Sequence, residues 1–257
     1  MQDLGLGRDA AIELAKRGHT VIATVHFDNQ INELNILSKK NNLNLIVFKL
    51  DILLKEDRDK INEYNVDVLI CNAAIGDSGS ICEISVDRIE NVFETNVFSN
   101  IKLVQIVIRN MIEIKNNGRV IFLSSLAGRV SIPWLSPYCA TKFAIEAFAS
   151  CLRKELKLLK YANIQVGIIE PGAYATGFNK KNNDKKYTWM KDKSYFKNYL
   201  NIIHLKEKYF WNFLELKKYN SIIHQYIKAV EDTQVKLRYT APKWQAFGIW
   251  LQRVLNK

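Results

Sequence analysis

With 257 residues, 48% of them hydrophobic, the chain is long enough to bury one sizeable core. Its formal charge of +11 is unevenly placed: residues 1–177 carry twenty basic and twenty acidic side chains, and residues 178–257 carry seventeen and six. Four cysteines, Cys71, Cys82, Cys139 and Cys151, show no C-x-x-C or zinc spacing, which argues against a disulfide framework or a metal site and for reduced, mostly buried thiols.

No basic-then-apolar signal opens the chain and no apolar run approaches the ~18 residues of a membrane span, so a cytoplasmic protein is expected. Gly5 and Gly7 lead into a helical pattern over 8–18, and Gly18-His19 then passes into a strand-like run at 20–25. A helix at 30–41, a strand at 44–50, a helix at 55–64 and a short buried strand at 66–71 follow, the last ending in Asn72-Ala73-Ala74. A long helical stretch, 86–115, contains Asn96, an odd choice among Val92, Phe93, Val97 and Phe98 unless its amide finds partners. The strand at 118–124 runs into Ser124-Ser125, and a helix at 138–160 opens with Tyr138-Cys139-Ala140-Thr141-Lys142. A strand at 164–170 closes on Pro171-Gly172, with Thr176 shortly after; 236–242 reads as a short last strand and Trp244 to Leu255 as an amphipathic helix. This alternation predicts an α/β fold with a doubly wound parallel sheet of the Rossmann type. No repeat or linker interrupts it, so residues 1–257 are read as one domain.

Two motifs carry proton-transfer chemistry. Tyr138 and Lys142 lie four apart, on one helix face, so the ammonium can favour the ionised phenol and bring a group that titrates near ~10 toward neutrality. Ser125 stands thirteen residues earlier, at the C-terminal end of a strand, where open α/β sheets bind ligands. Taken with Gly5-x-Gly7, Asn72-Ala73-Ala74, Asn96 and Pro171-Gly172, in this order and at these spacings, the chain resembles the short-chain dehydrogenase/reductase family, closely over residues 5–177 and loosely beyond.

The resemblance implies hydride transfer between a nicotinamide and a carbonyl or alcohol carbon, with Tyr138 passing the proton. Lys142 would hold the ribose hydroxyls, Ser125 would bond the substrate oxygen, and Asn96 would support a water linking Lys142 to solvent. It also implies that Gly5, Gly7, Asn72, Ala73, Pro171, Gly172 and Thr176 line the dinucleotide and that Asp51 reaches the adenine. Cys71 and Ala74 depart from the family's usual Asn and Gly. Cofactor choice turns on the end of the strand at 20–25: an acid there would bind the ribose of NAD, whereas Val25-His26 suggests NADP, with NAD possible and Asp28 a competing ribose ligand.

The family begins with an apolar strand and a Thr-Gly-x-x-x-Gly-x-Gly turn, whereas this chain starts inside that turn, with Met1 where the first glycine should be. In the family the missing strand lies between those matching 20–25 and 66–71, so two unpaired inner edges are expected.

Residues 178–235 are read as a substrate lid, in which Tyr174, just before it, with Phe178, Trp189, Phe196, Tyr199, Phe210, Trp211 and Phe213, could line an apolar pocket for a lipophilic small molecule. Sixteen of the twenty-eight aromatics fall after residue 177, with the basic excess. The first reading of that combination is a solvated lysine-rich face over an aromatic core; membrane-surface contact is the second, and no nucleic-acid partner is expected. A homodimer or homotetramer pairing through 86–115 and 138–160 is implied by the resemblance. Two other function classes remain beside the oxidoreductase: a catalytically silent binding or regulatory protein, and a peripheral membrane binder.

Overall fold

A computed structural model describes residues 5–115, 117–159 and 162–255. Met1, the position matching the first glycine of the turn, lies outside the described residues. Runs rich in Val, Ile and Phe form strands, because branched and aromatic side chains fit a pleated surface: β1 Val21–Val25, β2 Leu45–Lys49, β3 Val68–Cys71, β4 Gly118–Leu123, β5 Ile164–Pro171 and β6 Arg238–Ala241. All pairings are parallel. The helices are α1 Gly5–Lys16, α2 Asp28–Lys40, α3 Lys55–Asp59, α4 Val86–Phe93, α5 Ser99–Glu113, α6 Ser136–Leu156, α7 Phe178–Asn183, α8 Lys185–Lys193, α9 Leu200–Leu214, α10 Asn220–Glu231 and α11 Lys243–Leu255.

In β4 the side chains alternate between two cores, so the strand must be covered on both sides. Val120 and Phe122 face α5 and α6, packing with Leu103, Val107, Ile145 and Ala149, while Ile121 and Leu123 face α1 and α10, packing with Ala10, Ile222 and Tyr226.

The sheet is split. β1 pairs only with β2, whereas β3 joins β4, β5 and β6 in a four-stranded sheet, so the inner edges of β1 and β3 are unpaired among the described residues, as expected. Helix α1 ties the halves together. Leu6 and Ala10 pack with the β3–β5 core, and Ala11, on the neighbouring helix face, packs with Ala23, Val25 and Leu34 of the β1–β2 side. At the far end of α1, Arg17 Nε and Nη2 each donate to the Glu231 carboxylate of α10 at 2.6 Å.

Three expectations change. The stretch 86–115 is not one helix: a π turn at Glu94–Phe98 separates α4 from α5, and this wider turn carries Asn96. Cys82 and Cys151 are exposed, so only Cys71 and Cys139 fit the expectation of buried thiols. The aromatics beyond residue 177 do not all form a core, since Tyr199, Tyr209, Phe213, Trp244, Phe247 and Trp250 are exposed. No helix among the described residues is long and apolar enough to cross a membrane.

Candidate active site

Because neighbouring strands run parallel, the loops after β3, β4 and β5 emerge on one side, and the residues singled out from the sequence collect there. Ser125 follows β4 in extended backbone, and its Oγ accepts from the Ala127 N–H at 3.1 Å while its hydroxyl donates to the Pro171 carbonyl of β5 at 3.3 Å. Tyr138 lies in the first turn of α6, whose start is favoured by Pro137. The half-buried phenol is raised in pKa by burial, and interaction with the Ser125 hydroxyl draws it only partly back. Lys142, one turn on, is 2% exposed. Its Nζ donates to the Leu123 carbonyl at 2.7 Å and sits 5.5 Å from the centre of the Tyr138 ring.

Burial lowers the Lys142 ammonium to about 8, with Glu146 and Cys71 acting in the opposite direction. The Cys71 thiol itself is pushed up to about 12 by burial. Burial is thus the largest influence on both Tyr138 and Lys142, raising the phenol and lowering the ammonium.

Asn96 is saturated by protein. Its Oδ1 accepts the Ile75 N–H at 2.7 Å, and Nδ2 donates to the Ile75 carbonyl at 2.8 Å and to Thr141 Oγ1 at 3.0 Å. Thr141 in turn donates to the Tyr138 carbonyl at 2.8 Å. The asparagine therefore clamps the loop after β3 to the helix bearing Tyr138. Thr141 is a positioning residue that the sequence pattern does not single out, although it stands inside the Tyr138-to-Lys142 motif.

The dinucleotide candidates follow the other strand ends. Gly7 packs so closely on the residue after β3 that a Cβ there would fall 2.5 Å from Asn72 Nδ2, so only glycine fits this contact between α1 and the sheet. Asn72 Oδ1 accepts from the Tyr226 hydroxyl at 2.9 Å, a partner 154 residues away that no local signal could reveal. Gly5 starts α1 at φ +58, a left-handed backbone that suits glycine. Ala73 gives its carbonyl to Asn100 Nδ2 at 3.1 Å. The Gly172 N–H donates to the Ala241 carbonyl at 2.8 Å, and a Cβ on Gly172 would meet Gln245 Oε1 at 2.0 Å. Thr176 Oγ1 accepts the Phe178 N–H at 3.4 Å.

At the other end of the row His26 Nδ1 is 3.9 Å from Asp51 Oδ2, bringing the two adenosine-side candidates together. Asp51 Oδ1 also accepts the Leu53 N–H at 3.0 Å. Asp28 is taken by Lys49, whose Nζ donates to it at 3.0 Å. Of the aromatics expected to line a pocket, Phe178 lies 5.5 Å from the Tyr138 ring and Trp211 packs in the same cluster. Tyr174 bonds Ser221, Trp189 packs against Gly79, and Phe196 packs against Trp134. Tyr199, Phe210 and Phe213 are exposed and belong outside the pocket expectation.

A parallel α/β sheet with a Ser, Tyr and Lys converging beyond its strand ends, and glycines in the first turn of its first helix, defines a nucleotide-binding fold of the Rossmann class. The short chain dehydrogenase model matches residues 2–187, and the chain belongs to that family. It is 40% identical over 114 residues to dehydrogenase/reductase SDR family member 7B of Mus musculus, covering 44% of this chain and 34% of that protein. It therefore spans about a third of that relative's length. It is 30% identical over 192 residues to the probable short-chain type dehydrogenase/reductase VdlC of Helicobacter pylori, covering 71% of this chain and 67% of that one. Retinol dehydrogenase 8 of Homo sapiens is 30% identical over 184 residues, which cover 69% of this chain and 58% of that protein. Among solved structures, a short chain dehydrogenase/reductase from Burkholderia phymatum in complex with NAD superposes with a TM-score of 0.79 at 15% identity, over 97% of this chain and 90% of that one, a likeness of fold.

Proposed function

We propose that the chain is an NAD(P)-dependent oxidoreductase acting on a carbonyl or alcohol of a lipophilic small molecule. The observation that carries this reading is the convergence of Ser125, Tyr138 and Lys142 beyond the ends of β4 and β5. The residues fit a dinucleotide: Gly5 and Gly7 lie in the first turn of α1, whose N-terminal amides can face a phosphate, and of the three donors on Lys142 one is spent on Leu123. The bound dinucleotide supplies the hydride. Ser125 swings its hydroxyl from the Pro171 carbonyl to the substrate oxygen, and Tyr138 delivers its phenolic proton there as charge develops. A protonated phenol suits the reductive direction, and the neighbouring Lys142 cation compensates the phenolate left behind. Asn96 and Thr141 keep Tyr138 in place.

NADP is the preferred cofactor in this reading. No acid ends β1, His26 is exposed there, and the rival Asp28 is engaged by Lys49. Phe178 and Trp211 beside Tyr138 favour an apolar substrate, as does the resemblance to a retinol dehydrogenase, with 178–235 as the lid. Pairing of copies through α5 and α6 is favoured by Phe143 and Phe148, exposed on α6. The test is NADPH oxidation with a panel of apolar aldehydes and ketones. Tyr138→Phe is expected to abolish turnover while leaving NADPH affinity nearly unchanged; full turnover by that variant would refute the assignment, and a clear NADH preference would refute the cofactor choice.

A further inference from the structure

Helix α11 is oriented against the usual rule for amphipathic helices. Its buried contact is polar: Gln245 is 7% exposed, accepts the Ala173 N–H at 2.8 Å and donates to the Leu214 carbonyl at 2.8 Å. Trp244, Phe247, Leu251 and Val254, spaced by three and four residues along one apolar arc, face solvent, and Phe247 is 63% exposed. Helix α9 repeats the pattern. Ile202, Leu205, Tyr209 and Phe213 form an outward stripe, with Tyr209 69% and Phe213 77% exposed, while Ile203 on another face is buried. The two arcs meet where the Phe213 and Trp244 rings pack 6.1 Å apart, so they are parts of one patch rather than scattered apolar side chains.

The charge around this patch has one sign. Lys206, Lys208, Lys217, Lys218, Lys243 and Arg253 are exposed on or beside the two helices. The carboxylates of this region are turned to internal partners: Glu207 takes the Tyr187 hydroxyl and the Lys186 ammonium, each at 2.8 Å, and Glu215 accepts from Asn179 at 2.8 Å. An apolar protein partner would be met by the rings alone. Exposed Trp, Tyr and Phe within a ring of bare cations match instead a bilayer interface, where aromatic side chains settle among headgroups and lysines meet anionic lipid.

We propose that the outward faces of α9 and α11 form a docking surface for an anionic lipid bilayer, with Phe213, Trp244 and Phe247 entering the headgroup layer. Neither face carries a catalytic side chain, so docking and turnover are separable. The full chain is sedimented with phosphatidylcholine vesicles containing about a third phosphatidylserine, and with phosphatidylcholine vesicles alone. Binding is expected to the first at low salt, with much weaker binding to the second. Lys217→Glu with Lys218→Glu should weaken it by roughly 25-fold or more, at about fivefold for each lysine removed from the surface. Phe213→Ser with Phe247→Ser should weaken it comparably and reduce the part that survives high salt. The control Lys39→Glu with Lys40→Glu, on exposed positions of α2, makes the same change in net charge and should leave binding unaltered. Thermal melts of each variant confirm folding. Absence of binding to phosphatidylserine vesicles at low salt would overturn the proposal, as would equal weakening by the α2 control. An oligomer seen by light scattering that Phe213→Ser with Phe247→Ser dissociates would also overturn it, since the patch would then belong to a second copy.

Discussion

Gly7→Ala tests the joint between the first helix and the four-stranded sheet. The added Cβ would lie 2.5 Å from Asn72 Nδ2 and 3.0 Å from its Cγ, so one side must move. Asn72 is the softer partner, but it is held by the Tyr226 hydroxyl at 2.9 Å, on a side chain only 1% exposed. Displacing the amide strands that buried hydroxyl, at a cost of about 1–3 kcal/mol. Forcing the backbone apart instead is overpacking, also about 1–3 kcal/mol. Alanine's better helix propensity returns at most about 1 kcal/mol. A net loss of roughly 1–3 kcal/mol lowers the Tm by about 2–4 °C per kcal/mol for a chain of this size. Scanning fluorimetry with and without NADPH should show the lower midpoint and a smaller cofactor-induced rise. With Tyr226→Phe already in place, Gly7→Ala should cost less than it does in the wild-type background, because the hydroxyl it strands is gone. An unchanged or higher midpoint, or strictly additive effects, would refute the reasoning.

Lys142 is lowered to about 8 in the fold against 10.5 for the ordinary side chain, so between those values the unfolded chain binds the extra proton and this group adds stability as pH rises. Lys142→Met should therefore be favoured relative to wild type at pH near 7, by on the order of 2–3 kcal/mol at most, with the gap closing toward pH ~10 in urea melts. The Arg17 guanidinium holds the Glu231 carboxyl down to about 2 from its usual 4.5, so this pair's contribution is complete above the usual value and fades as pH falls toward the lower one. Glu231→Gln should show a shallower acid limb of stability over that window, and an unchanged limb would remove the Arg17–Glu231 tie as a link between α1 and α10.

Order and spacing along the chain were enough to determine the α/β alternation, five strands to within a residue or two, and the motif residues that follow them. Buried parallel strands are continuous apolar runs, helices repeat every 3.6 residues, and residues after parallel strands must emerge on one side. Ser125 and Tyr138 were legible for that reason, as was the helical register that puts Lys142 beside the ring.

What local pattern cannot contain is the outcome of contacts between distant segments. At the π turn the Asn96 amide bonds Ile75 and Thr141, from two other elements. Tyr226 reaches Asn72 across 154 residues. Burial, a property of the whole fold, is the largest influence on the Tyr138 phenol. The same holds for the aromatic C-terminal region: a helix at 243–255 was readable, but which arc faces the protein was decided by Gln245, whose amide satisfies the backbone of Ala173 and Leu214 and so leaves the rings of Trp244 and Phe247 outside.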